Sequence, residues 1–331
     1  MAEWRERLSA CISDLECISS EDKVLRSDPE DHSMANNTRD DVNLLHNLAA
    51  SVPGIIQVYR FLGSGTFGHV WECELAGHVA PVALKVSRPN FGSQWLVRES
   101  HMYTGLHHPN LVQFLQTIDG PPCAMAMELC PGGTLEQVIH ESVHHHGIAF
   151  ADIPVRSRIR AALDVVTCLD YLHANSICHL DVKPANCLLS SVFEVDTQDI
   201  PQVKLGDLGL ARHEAEEMHQ RVGTWVYMAP ELMQGENYSF PADIYSCGIL
   251  LYELATGLAP FSPSRERFQD KVALARAVSM GERPALDDGW LADAIGQDLR
   301  DIIEGSWVQE PGSRPSAGML VDCLRSLWMI A

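Results

Sequence analysis

The chain has 331 residues, with 44 acidic and 24 basic side chains and a formal charge of −20 at neutral pH. Such an acid excess repels phosphate backbones and anionic lipid headgroups, so neither nucleic acid nor a membrane surface is the expected partner. A composition of 46% hydrophobic and 21% charged residues excludes a wholly disordered, collagen-like or coiled-coil chain, and the length suits about two domains.

Residues 1 to about 52 are polar and acidic and read as an N-terminal extension. Within it Trp4, Leu8, Ile12 and Leu15 recur at helical spacing, so the extension is either loosely held or carries one short amphipathic helix. It lacks the apolar core of a secretory signal, and no run of about 18 apolar residues occurs anywhere. The ten cysteines are scattered without a CxxC pair. Reduced thiols in the cytoplasm or nucleus follow, with no structural zinc.

From residue 53 the pattern turns to short strands. IIQVYRFL (55–62), HVWECEL (69–75) and PVALKV (81–86) are rich in β-branched and aromatic residues and are separated by glycine breaks. A helix bearing Trp95, Leu96, Glu99, Met102 and Tyr103 follows, then a strand in CAMAMEL (123–129). PGG (131–133) closes this β-rich part near Cys130. Residues 131–331 read as mainly helical. VRSRIRAALDVVTCLDYLHANS (155–176) places Ile159, Leu163, Val166, Leu169 and Leu172 on one face. ADIYSCGILLYELATG (242–257) is apolar nearly all round and predicts a buried helix. HHHG (144–147) reads as a solvated loop rather than a metal site, because no further ligand lies near it in sequence.

Gly63, Gly65 and Gly68 form GSGTFGHV. In dinucleotide folds this spacing opens a helix. Here a strand follows, so the motif is either an ordinary hairpin turn or a loop folding backbone amides over phosphates. Lys85, in an apolar strand, needs an anion, because an unpaired buried ammonium is costly. Glu99 can supply it, as a structural ion pair or as part of a site. HLDVKPAN (179–186) sets Asp181, Lys183 and Asn186 on one short loop, and DLG (207–209) adds Asp207. A carboxylate to accept a hydroxyl proton, a cation for phosphate and oxygen ligands for Mg²⁺ are what phosphoryl transfer requires.

These motifs, with HHPNLV (107–112), APE (229–231), DIYSCG (243–248) and SRP (313–315), occur in the order of the protein kinase signature set. Over about residues 55–330 the chain resembles eukaryotic-type serine/threonine protein kinases. The resemblance implies an α+β, bilobal fold with a small β-rich N-lobe (53–130) and a larger, mainly helical C-lobe (131–331). It implies ATP and Mg²⁺, and protein substrates. Gly63, Gly65 and Gly68 would cover the phosphates. Val70, Ala83, Met127, Glu128, Leu129, Cys130 and Leu188 would surround the adenine, Met127 as gatekeeper. Lys85 would hold the α- and β-phosphates, fixed by Glu99. Asp181 would be the base, Lys183 the γ-phosphate partner, and Asn186 and Asp207 the metal ligands. Glu231 with Arg314 would form a structural ion pair, and Asp243 would brace the catalytic loop.

Lys183, and the GT dipeptide (223–224) before YMAPE, resemble serine/threonine rather than tyrosine kinases. Leu180, where most kinases carry arginine, is similar to the Mos-like branch, whose members act on a kinase-kinase upstream of a MAP kinase. Leu180 cannot pair with a phosphate. Between Asp207 and Glu231 the only hydroxyls are Thr224 and Tyr227, and Thr224 is expected to bond the Asp181 and Lys183 groups. Activity without activation-loop phosphorylation follows. Residues 190–202 read as a long acidic surface loop that suits docking. Thr134 and Ala185 stand where kinases selecting Arg-rich peptides often carry acids. Two rivals keep the same fold: a pseudokinase scaffold, which would lack one of Lys85, Asp181, Asn186 or Asp207, and a small-molecule phosphotransferase, which would lack APE and the DIYSCG–SRP tail.

Overall fold

A computed structural model describes residues 52–65, 68–88, 93–120, 122–141, 149–194, 199–214, 222–262, 268, 270–286 and 294–331. The expected N-terminal helix, the HHHG tract, and Thr66 and Phe67 of the glycine motif lie outside the described residues. The chain divides into two compact units. One takes the described residues up to His101 together with Phe114–Leu129, and the other takes Met102–Gln113 and Cys130–Ala331.

The first unit is an antiparallel sheet of order β1-β2-β3-β5-β4. Its strands are β1 (Ile55–Ser64), β2 (Gly68–Leu75), β3 (Val82–Ser87), β4 (Phe114–Ile118) and β5 (Ala124–Glu128). Trp71, Cys73 and Leu75 alternate along β2 and point to a core shared with Val82, Leu84, Val86 and Ala126. β3 is central and buried along its whole length, so its second face, with Ala83 and Lys85, is covered too. Helix α1 (Gln94–Tyr103) carries Glu99. The five residues of β4 carry too little alternation for the sequence to have marked them as a strand.

Residues 102–113, expected in the β-rich part, group with the helical unit instead. Backbone and side-chain bonds hold them there: His107 N–H donates to Tyr171 Oη, Asn110 Nδ2 to the Val203 carbonyl, and Val112 N–H to the Leu205 carbonyl.

The helical unit opens with α2 (Leu135–His140), capped by Thr134. Its hydroxyl accepts from Gln137 N–H while Gln137 Oε1 accepts from Thr134 N–H. The long α3 (Val155–Ala174) packs on α5 (Phe240–Thr256) and on α8 (Ala317–Ile330). Two short hairpin-like pairs follow α3: β6 (Ile177–Cys178) with β9 (Arg212–His213), and β7 (Cys187–Leu189) with β8 (Val203–Leu205). Short α4 (Pro230–Gln234), α6 (Lys271–Ser279) and α7 (Ala294–Ser306) complete the unit. As its composition predicts, α5 is buried from Ala242 to Ala255, and it stops at Gly257, whose φ of 71° suits glycine.

Two expectations fail locally. On α3 it is Asp164 that is buried, while Leu163 is only partly so. Asp164 Oδ2 accepts the Val203 N–H and Oδ1 the Arg160 Nε–H, so the carboxylate terminates the β8 edge. The 190–202 loop is not purely a surface feature. Phe193 and Ile200 are buried, and the Ile200 N–H donates to Ser157 Oγ at 2.7 Å; residues 195–198 lie outside the described residues.

Candidate active site

In the β-rich unit Lys85 and Glu99 form a buried ion pair. Lys85 Nζ donates to both carboxylate oxygens, at 2.8 and 2.7 Å, and the side chains are 6% and 1% exposed. The strand register puts Val70 beside Lys85, and Ala83 beside Met127; Glu128 ends β5 and Leu129 follows it. Gly63 pairs with Val70, and the Gly65 N–H donates to the Gly68 carbonyl at 2.9 Å. The glycines differ in what requires them. A Cβ at Gly68 would lie 2.6 Å from the Val86 carbonyl oxygen, so β3 itself excludes a side chain there. A Cβ at Gly63 would meet nothing, and one at Gly65 only the Gly68 oxygen at 3.9 Å. Bare backbone at those two positions leaves room for a ligand's phosphates to approach the amides.

In the helical unit the loop between β6 and β7 gathers the remaining charges. Asp181 Oδ1 accepts from the Thr224 N–H and Oγ1–H at 3.0 and 2.9 Å. Its Oδ2 accepts from Asn186 Nδ2 at 2.9 Å and from Lys183 Nζ at 2.8 Å. Lys183 Nζ also donates to Thr224 Oγ1 at 2.7 Å, so Thr224 does bond both groups. Asn186 Nδ2 additionally donates to the Asp181 carbonyl. Its Oδ1 takes no part in these bonds and is a hard oxygen of the kind that Mg²⁺ takes. Gly206 binds the same loop: its N–H donates to the Asn186 carbonyl and its own carbonyl accepts from His179 Nε2. Asp207 therefore follows directly on this network, in the left-handed region at φ 61°. Leu188 lies on β7, bridged to Thr134, and Cys130 precedes α2.

Asp243, fully buried at the start of α5, ties the loop down. It accepts from the His179 and Leu180 N–H groups at 2.8 and 2.7 Å, and His173 Nε2 lies 2.9 Å away. Burial alone would raise its pKa. The bond and charge of His173, the charge of His179 and the Leu180 N–H outweigh burial and hold it below the usual value. The bracing role of Asp243 was legible in the sequence, but that of His173 was not. A second missed group is Glu253, 0% exposed within apolar α5 and 2.6 Å from His140 Nε2. Its signal is an acid inside an apolar helix, which must find a partner. Glu231 and Arg314 meet in a bidentate pair at 2.6 and 2.8 Å, and Arg314 also donates to the Pro241 and Val308 carbonyls.

The protein kinase domain profile matches residues 23–329, beginning earlier than the motifs alone suggest. The chain belongs to the protein kinase domain family. Among its kinase relatives is the proto-oncogene serine/threonine-protein kinase mos of Sus scrofa, 33% identical over 291 residues, which cover 80% of this chain and 79% of the pig protein. The probable serine/threonine-protein kinase gdt4 of Dictyostelium discoideum is 28% identical over 314 residues, 93% of this chain but 18% of that protein. Human serine/threonine-protein kinase ULK3 is 30% identical over 264 residues, 77% of this chain and 51% of its own length. The chain thus groups with the serine/threonine kinases, and spans 18% and about half of the last two. Protein kinases use ATP, as a substrate rather than a cofactor, with a divalent metal. Among the described residues no helix is long and apolar enough to cross a membrane.

Proposed function

We propose that this kinase transfers the γ-phosphate of ATP to serine and threonine hydroxyls of protein substrates. The observation that carries the reading is the closed set around Asp181. Its carboxylate is oriented by Thr224 and Asn186 and paired with Lys183, which suits a proton acceptor set beside a phosphate cation. In this reading Lys85, fixed by Glu99, holds the α- and β-phosphates. Gly63, Gly65 and Gly68 give amides to the phosphates, and Val70, Ala83, Met127, Glu128, Cys130 and Leu188 line the adenine site. Asn186 and Asp207 would hold Mg²⁺, which when bound would neutralise phosphate charge. Asp181 accepts the substrate hydroxyl proton, and Lys183 offsets charge on the γ-phosphate. The retained Lys85, Asp181, Asn186 and Asp207 argue against a scaffold that only binds. APE and the Glu231–Arg314 pair argue against a small-molecule phosphotransferase.

The finer reading is a Mos-like kinase whose substrate is a MAP kinase kinase, working in the cytoplasm or nucleus without nucleic acid or membrane. Its support is the likeness to the pig Mos kinase along 79% of that protein, together with Leu180. Residues 1–52 would act as an extension to the lobes at 53–130 and 131–331. The test is ³²P transfer from Mg-ATP to a basic protein and to a recombinant MAP kinase kinase, comparing wild type with Asp181→Asn. Phosphoserine and phosphothreonine made only by wild type are expected. Transfer undiminished in the variant overturns the role of Asp181, and indifference to the MAP kinase kinase overturns the finer reading.

A further inference from the structure

Three side chains of the β-rich unit meet at the open end of the glycine hairpin. Ser64, the last residue of β1, pairs with His69 on β2, and Arg88 follows the end of β3. Ser64 Oγ accepts from Arg88 Nη2 at 2.6 Å and lies 3.2 Å from His69 Nδ1. Side chains alternate along a strand, so His69 faces away from its neighbour Val70, and Arg88, three residues beyond Lys85, faces away from that lysine. Ser64 is exposed, and His69 and Arg88 are half-buried. Among the described residues the guanidinium has one acceptor, this neutral hydroxyl, and its buried Nε bonds to nothing. Burial first, and then the Arg88 charge, lower the His69 pKa. The ring is therefore neutral at pH 7, and its Nδ1 can accept from the Ser64 hydroxyl. In a chain with 44 acids against 24 bases, a cation spent on a serine hydroxyl is out of pattern.

A guanidinium and an imidazole around one reachable hydroxyl form a receptor for a dianion carried on that oxygen. We propose that Ser64 is an autophosphorylation site, with Arg88 and His69 holding the phosphate. The Ser64 Oγ–P bond forms as the γ-phosphorus of ATP parts from its bridging oxygen. ADP leaves, and the hydroxyl proton passes to Asp181 of the acting copy. That step rests on the proposed serine/threonine activity; the receptor does not. The phosphate stands on the face away from Lys85 and ties β1, β2 and the end of β3 together across the glycine hairpin.

The test has two arms, both on the full chain. In the first, wild type and Asp181→Asn are incubated with Mg-ATP and a basic protein, and phosphosites are mapped by mass spectrometry. Phosphate on Ser64 in wild type alone is expected. Transfer to the basic protein with Ser64 unmodified overturns the inference and leaves the activity standing, whereas transfer to neither overturns both. Equal phosphate on Ser64 in Asp181→Asn overturns autophosphorylation. In the second arm phosphoserine is encoded at position 64 during translation, and its ³¹P resonance is followed with pH. Cations beside the phosphate favour its dianion, so a midpoint about one unit below the ordinary value of ~6 is expected. Arg88→Gln should return the midpoint to about 6. The modified wild type should melt about 2 °C above the unmodified chain. A midpoint near 6 without the substitution, or one that Arg88→Gln leaves lowered, overturns the receptor.

Discussion

Asp243 holds Leu180 in the left-handed region: the Leu180 N–H donates to Asp243 Oδ1 at 2.7 Å while the leucine sits at φ 66°. A leucine there is strained by roughly 1–2 kcal/mol, so the conformation depends on its partners. Asp243→Asn replaces an acceptor with a donor facing a buried N–H. It should cost about 1–3 kcal/mol in urea unfolding and lower kcat more than it raises the KM for ATP. Because the folded-state pKa of Asp243 is lowered, its contribution is present above the unfolded value of about 4 and lost as pH falls through the folded one. An unchanged kcat in Asp243→Asn would detach the clamp from catalysis.

The Lys85–Glu99 pair separates stability from activity. Lys85→Met removes the cation from a carboxylate that is 1% exposed, and about 3–5 kcal/mol of stability should go with it. Lys85→Met combined with Glu99→Leu removes both charges and should recover most of that loss while remaining inactive. Recovery of phosphoryl transfer in the double variant would show that the pair is structural only.

Asp181→Asn keeps the size of the side chain but cannot take a proton. Transfer should fall by about 10²–10⁴, with the melting temperature within a few degrees of wild type. Thr224→Ala removes the hydroxyl that orients Asp181 and contacts Lys183, and should cost less, about tenfold in kcat. Steady-state kinetics on both proteins rank the two effects, and the reverse order refutes the assignment.

Glu253 titrates in the opposite sense to Asp243. Burial, the largest influence, raises its pKa despite His140 and Tyr227. Between the unfolded value of about 4.3 and the raised folded one, the unfolded chain is ionised while the folded chain keeps the proton. Stability from this group therefore falls as pH rises through that window. Glu253→Gln should match wild type below pH of about 4 and gain on it steadily above. Parallel urea midpoints from pH 4 to 7 rule this out.

The segment from Asp207 to Glu231 offers only Thr224 and Tyr227 as hydroxyls. Thr224 Oγ1 is bonded to Asp181 and Lys183, and Tyr227 is buried. Leu180 is 4% exposed and carries no charge for a phosphate. Purified kinase treated with phosphatase should keep its activity within about twofold, well inside the smallest coupling expected of a switch. Loss of activity, with a phosphosite mapped to this segment, would falsify the prediction.

The order of strands around the glycine motif, the buried α5 and the charged loop were legible because each follows from a short-range pattern: alternation, an unbroken apolar run, or fixed spacing. What the pattern hid lies in contacts between distant residues. Asp164 looks like the solvent side of an amphipathic helix until Val203 brings an N–H to it from 39 residues away. Residues 104–113 follow a helix of the β-rich part, yet His107, Asn110 and Val112 bond to Tyr171, Val203 and Leu205. His140 and Glu253, 113 residues apart, give no joint signal in the linear sequence.

The Glu231–Arg314 pair also sets an order of events during synthesis. Glu231 is made 83 residues before its partner, and both oxygens of its carboxylate are bonded to that one guanidinium. Until Arg314 leaves the ribosome, burying Glu231 means burying an uncompensated charge. The segment ending in APE therefore cannot settle as it first emerges, and its Glu231 stays without its partner until Arg314 has followed it out of the ribosome.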